Sequence, residues 1–247
     1  MRKLVSCFII IGTLLFSNAT SANSNSNILF SLQRHTLIEG EKSISIGLRN
    51  SESIPYLVQS SVGWLDESTG VKELKKATKV PFIITPPLHK LASGNYYEWR
   101  VLFTGNTSDF PVDRESVYIA KFLLIPPSEE KKKSQNMDLA VMRSFAFKVY
   151  YRPKVLKDLL IENQQDKLSF KRVDDKLIVT NNSPLYMTFD EVKVGNVSVK
   201  ESELFKPLIP FSEQVFSLPS NTPVSKTVEW NLLDETSFSL EKKTSQL

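Results

Sequence analysis

The sequence predicts an all-β protein built from two immunoglobulin-like β-sandwich domains, and three observations predict it. Short runs rich in branched and aromatic residues recur between turn signals roughly every 8 to 15 residues. No amphipathic helical window rises above background in the first half of the chain. The 247 residues are long for one sandwich and fit two domains of about 100 residues each. A hydrophobic content of 41% beside 23% charged residues agrees with an ordinary globular protein.

The start of the chain stands apart from the fold. Arg2 and Lys3 precede an apolar run over 4–16, and small-residue cleavage sites follow at Ala19 and at Ala22, so 1–22 reads as a secretory signal peptide. The run is shorter than the roughly 20 residues a membrane-spanning helix needs, and no later stretch approaches that length, so no membrane insertion is expected. The one cysteine, Cys7, lies inside the leader, which leaves no disulfide or thiol chemistry for the mature chain. Without the leader, 29 basic residues face 27 acidic ones; so small a balance argues against nucleic-acid binding.

Taken in order, 28–38 reads as a first strand, with a turn at Glu39 and Gly40. Residues 43–50 alternate with period two, and 56–64 follow Pro55 as a second half-buried strand. Strands are expected over 82–87, 96–103 and 116–125, the last closed by Pro126 and Pro127. The longest reads over 137–153. Leu139, Val141, Phe145 and Phe147 share one of its faces, while Ala140, Met142 and Ala146 make the other small or apolar. That pattern fits a central sandwich strand, or an edge strand whose exposed row a partner covers. After Pro153, 154–165 is polar and mixed, and further strands over 170–172, 176–180, 185–189, 192–199, 214–218 and 227–233 suit a smaller sandwich. The expected domains are therefore 23–153 and 154–247.

Enzymatic constellations are thin. His35 and His89 are the only histidines, no Gly-rich phosphate loop occurs, and the two are not spaced as metal ligands, so both read as structural. No catalytic residue, metal or other cofactor is expected. Arg34 and Lys148, taken alone, read as strand cations whose heads snorkel to water.

Several motifs together give these residues another reading. Arg34 is followed sixteen positions later by Asn50, then by Pro55-Tyr-Leu-Val-Gln, Pro81-Phe-Ile-Ile-Thr-Pro-Pro, Asp113-Arg-Glu-Ser, Ile125-Pro-Pro, and KVYYRP over 148–153. In order and spacing this series resembles the first domain of the periplasmic pilus and fimbrial chaperones of the chaperone-usher pathway. Residues 178–189 and 230–234 resemble the second domain more loosely, and the chain departs from the family's usual wording after Asp234.

The resemblance implies two sandwich domains in an L-shaped arrangement with a cleft between them. It implies that Arg34 and Lys148 grip the C-terminal carboxylate of a pilus subunit, and that Glu115, Arg152 and Asp234 form a charge cluster bracing the domains. Donor-strand complementation follows: Leu139, Val141 and Phe145 would fill the groove of an incomplete immunoglobulin-like subunit, which an outer-membrane usher then receives. Arg143 interrupts the apolar row where the family carries a hydrophobe. Lys148 has the opposite parity to Leu139, so either a bulge intervenes or the anchor faces the cleft from the other side. The short loop 128–136 fits the branch serving rod-like pili, the location implied is the periplasm, and an uncapped donor edge can pair with a second copy as a dimer. The alternative is a secreted immunoglobulin-like adhesin or structural binding module, which would not depend on Arg34 or Lys148.

Overall fold

The computed structural model describes residues 28–31, 33–71, 73–74, 79–127 and 141–247. The leader at 1–22, the loop at 128–136 and Leu139 lie outside the described residues. In chain order the first half runs β1 (Ile28–Phe30), β2 (His35–Ile38), β3 (Ser43–Asn50), β4 (Tyr56–Leu65) and β5 (Glu73–Leu74). It continues with β6 (Phe82–Thr85), β7 (Leu88–Leu91), β8 (Tyr96–Phe103), β9 (Ser116–Ile125) and β10 (Arg143–Arg152). These strands form two sheets, ordered β1-β3-β8-β6 and β2-β10-β9-β4-β5, with β7 also paired to β4.

Alternation puts the core between the sheets. On β4, Tyr56 and Val58 point inward and Leu57 and Gln59 outward, and Trp99 of β8 meets Phe122 of β9 edge-on at 5.3 Å between ring centres. The second half has β11 (Leu168–Val173), β12 (Lys176–Asn181), β13 (Phe189–Val194), β14 (Val197–Ser198), a single helical turn α1 (Glu201–Leu204), β15 (Ser212–Ser217), β16 (Thr227–Leu232) and β17 (Lys243–Gln246). Its sheets, β11-β12-β15 and β14-β13-β16-β17, close on a second core around Phe189, Phe216 and Trp230. Between the two cores Leu65, Val117, Ile119, Tyr150 and Tyr186 pack as a small apolar joint.

The elements depart from the sequence reading at several points. The run expected as one strand over 28–38 is two: β1 pairs antiparallel with β3, and β2 pairs parallel with β10 in the opposite sheet. The crossing uses the intervening residues, where the Ser31 N–H donates to the Gly47 carbonyl and the Arg34 N–H to that of Glu235. Of the run expected over 137–153, residues 137–140 lie outside the described residues, and within them the strand starts at Arg143, after Val141 and Met142. Arg143 faces Leu124, so Ile125 is the last residue of β9, and Pro126 and Pro127 after it carry no N–H with which to extend the ladder. The run expected over 192–199 folds into the hairpin β13–β14, because Gly195 adopts φ +62° and turns the chain.

Candidate functional site

The site forms where β2, β10 and the second half converge. Residues 149–151 of β10 are paired on both edges, to β9 and to β2, whereas 143–148 are paired only to β9. Half of this strand therefore presents an open edge, and the open part ends at Lys148. The ladder from Arg143 to Tyr151 is unbroken, so no bulge intervenes between Arg143 and Lys148. Lys148 shares its parity with Ala146 and Tyr150 and looks into the cleft, opposite the face that carries Phe145 and Phe147.

The cleft has a free volume of about 290 Å³, and Arg34, Lys148, Tyr150, Thr188, Phe205 and Asp234 are among its walls. Sequence positions 34 and 148 are thus brought to one cavity. The Arg34 guanidinium lies 3.6 Å above the Tyr150 ring, and its Nη2 donates to Glu115 Oε2 at 2.5 Å. Its Nε is buried without a hydrogen-bond partner. Burial opposes the Arg34 charge, but Glu115, Tyr150 and Glu235 together outweigh it and hold the group above its ordinary value.

Lys148 is in the opposite situation. Its Nζ donates to the Phe205 carbonyl at 2.8 Å and more loosely, at 3.5 Å, to Thr188 Oγ1; it has no ion pair among the described residues. Burial, with Arg34 nearby, lowers its pKa to about 8. A half-buried ammonium facing neutral oxygens beside a second cation is electrostatically incomplete, and a carboxylate entering the cleft would complete it.

Behind the cleft lies a buried charge cluster. The Glu115 carboxylate is fully buried; Oε1 accepts from Arg152 Nε at 2.7 Å, and Oε2 accepts from Arg34 and from the Tyr186 N–H at 2.8 Å. Arg152 Nη1 donates to the Leu159 carbonyl at 2.7 Å, and Nη2 lies 3.5 Å from Glu235 Oε1. Glu235 also accepts the Ile161 N–H. The expected acid Asp234 is absent from this cluster and its neighbour takes the place. Asp234 Oδ1 instead closes its own turn, accepting from the N–H groups of Thr236 and Phe238 and from the Thr236 hydroxyl. An aspartate one carbon shorter than glutamate bonds readily to backbone two residues on, leaving the longer Glu235 to reach Arg152.

The expected donor residues are dispersed. Val141 is 67% exposed and precedes β10. Phe145 turns into the sandwich instead, half-buried with its ring centre 4.5 Å from that of Phe30, so the structure groups it with the core. His35 is buried edge-on to Phe147 at 5.8 Å with both ring nitrogens unpartnered, and burial holds its pKa down to about 4. His89 stacks on Tyr97 at 3.7 Å. Among the described residues no three potential metal-ligating side chains come together. Sequence reasoning missed Tyr150, Thr188, Glu235 and the Phe205 carbonyl. Tyr150 was within reach, because it shares the parity of Lys148 two residues away; the others come from distant loops.

Comparison with known proteins finds relatives over most of the chain. The family described as "Pili and flagellar-assembly chaperone, PapD N-terminal domain" matches residues 30–157, and "Pili assembly chaperone PapD, C-terminal domain" matches 163–236. The chaperone protein HifB of Haemophilus influenzae is 27% identical over 226 residues, covering 90% of this chain and 89% of its own. The chaperone protein MyfB of Yersinia enterocolitica is 31% identical over 209 residues, covering 78% and 74%. Among solved structures, the Salmonella enterica SafB chaperone, in complex with the SafA pilin, superposes with a TM-score of 0.74 at 24% identity, covering 90% of this chain and 96% of that one.

Proposed function

From the premise that this chain belongs to the pilus-assembly chaperone family, we propose that Arg34 and Lys148 grip the C-terminal carboxylate of a pilus subunit while the open edge of β10 lends its backbone to the subunit's incomplete sandwich. The chain is a chaperone of pilus assembly, as its family is described. The family is periplasmic, and cleavage of the leader after Ala19 or Ala22 is part of the proposal. We divide the chain at Pro153 into a subunit-binding domain and a smaller second domain.

The observation that carries the reading is the pairing of a half-open strand with Lys148, a half-buried cation that meets only neutral oxygens among the described residues, at the end of the open part. A carboxylate fixed there sets the register of whatever lies along 143–148, and a one-residue slip would reverse every side chain. Val141 and, beyond the described residues, Leu139 then stand in the row offered to the subunit's groove, with Phe145 supporting the strand from the core side. The Glu115, Arg152 and Glu235 cluster holds the two halves at a fixed spacing behind the grip. Binding supplies the whole effect, so the reading calls for no catalysis, cofactor or nucleotide. Delivery to an outer-membrane usher and self-pairing of the uncapped edge complete it.

The test is recovery of the tagged chain from its host's periplasm with identification by mass of what accompanies it. A small all-β subunit bound stoichiometrically by the native chain and lost from Lys148→Ala and Arg34→Ala is expected. The lysine variant is the cleaner of the two, because Arg34 also pairs with Glu115. Equal retention by both variants would sink the anchor and favour an adhesin-like binding module.

A further inference from the structure

The residue that interrupts the apolar row of β10 has a structural partner set of its own. Arg143 Nη2 lies 2.6 Å from Glu52 Oε1 and donates at 2.6 Å to the Tyr56 hydroxyl, which donates to Glu52 Oε2 at 2.5 Å. The guanidinium stands 5.1 Å from the Tyr56 ring centre. The three groups form a closed triangle at the rim of the first core, with the Glu52 side chain 9% and that of Arg143 35% exposed.

The backbone that carries the acid is held by contacts other than the arginine. Glu52 lies in the β3–β4 connection, its N–H donating to Asn50 Oδ1 at 3.1 Å and its carbonyl accepting from the Ser93 hydroxyl at 2.6 Å. Asn50, fully buried, donates in turn to the Ile54 carbonyl at 2.8 Å. This corner is therefore a rigid socket, and Tyr56 is itself a core residue. Arg143 is the first residue of β10, and the two residues before it, Val141 and Met142, are 67% and 58% exposed and outside any strand.

We propose that the Glu52–Tyr56–Arg143 triangle is a positioning clamp that fixes where the donor strand leaves its own sandwich. It rests on the subunit-binding reading above. Arg143 folds inward, so it fills no pocket in a partner; it pins the backbone at one end of the open edge, while Lys148 and the β2 pairing hold the other. The clamped span of five residue steps is about 17 Å long at a strand's rise. A subunit whose carboxylate is held at Lys148 meets an edge already extended and in register, and residues before Arg143 are left to be offered to it. Pre-ordering matters because fixing each residue of backbone costs conformational entropy, which an unclamped edge would surrender on binding.

The test uses Arg143→Met and Glu52→Gln in the full mature chain. Hydrogen exchange on the free protein should show amide protection at 143–146 falling at least tenfold in both, with protection at 149–152 unchanged. Affinity for the subunit that accompanies the wild-type chain, purified and titrated separately, should weaken by roughly tenfold, the loss expected for about one residue's ordering cost. The reciprocal exchange Glu52→Arg with Arg143→Glu should recover part of both. Unchanged protection, or loosened amides with wild-type affinity, overturns the clamp. If the wild-type chain binds no subunit while protection still falls in the variants, the subunit-binding reading fails and the clamp as a device for positioning a donor strand fails with it; the exchange data then record a purely structural triangle. Should Arg143→Met not fold, Tyr56→Phe, which removes one hydroxyl, gives the same readout, and unchanged protection there counts equally against the proposal.

Discussion

At the scale of single residues, two nitrogenous groups, Lys148 and His35, are pushed in the same direction by lack of water. Lys148 sits at about 8 because burial and Arg34 disfavour its charge. A carboxylate ligand favours the protonated form, so affinity for a subunit is expected to hold below pH 8 and to fall about tenfold per unit above it, until the pKa of the bound state is reached. Titrating the dissociation constant from pH 6.5 to 9.5 checks this, and Lys148→Met should bind weakly with no such slope. His35 acts on stability instead. Its folded pKa of about 4 lies below the ordinary 6.5, so its contribution is fully present above pH 6.5 and is lost as pH falls toward 4, because the unfolded chain takes up the proton first. Denaturant unfolding at pH 4.5 should show a decline of about 2–3 kcal/mol relative to pH 7, beyond that of His35→Leu. Neither shift is visible in the sequence, where His35 and Lys148 are simply polar residues in strand patterns.

At the scale of elements, the turn after β4 shows how the two halves interlock. Gly70 adopts φ +73°, and a Cβ there would run into the Phe205 carbonyl, the oxygen that accepts from Lys148. Beside it the Tyr186 hydroxyl donates to Glu67 at 2.5 Å. Gly94 has the same φ with open space around it. Gly70→Ala should therefore cost about 1–3 kcal/mol more than Gly94→Ala and weaken subunit binding as well, whereas Gly94→Ala should show only the cost of its backbone conformation. Thermal unfolding and a binding titration of the two variants make the comparison. Strand alternation, which gave β3, β4, β8 and β9 correctly from sequence, is silent about this contact: the period of a strand reports which face is buried, and not which loop will stand against it.

At the scale of the whole molecule, a chain of charges spans the joint, Arg34, Glu115 and Arg152 buried and Glu235 half-buried, with the Tyr186 N–H closing on Glu115 from the second half. Removing one member strands the others. Arg152→Met leaves the fully buried Glu115 with one cation fewer and should destabilise the chain by about 3–5 kcal/mol, with little sensitivity to salt. Equilibrium unfolding in urea at low and high ionic strength tests both statements; a loss under 1 kcal/mol would show that the cluster is not a brace. The sequence by itself determined the fold class, most strands and the motif series that identifies the family, because period-two burial, proline and glycine punctuation and motif spacing are all properties of neighbouring residues. It brought Arg34 and Lys148 under suspicion, but only the tertiary structure placed both on one cleft. The structure also exchanged Asp234 for Glu235, turned Phe145 into the core and tied Arg143 to Glu52. Those outcomes depend on side-chain reach and on which surfaces meet across 83 to 115 positions of sequence, and burial and Coulomb energy act through space, not along the chain.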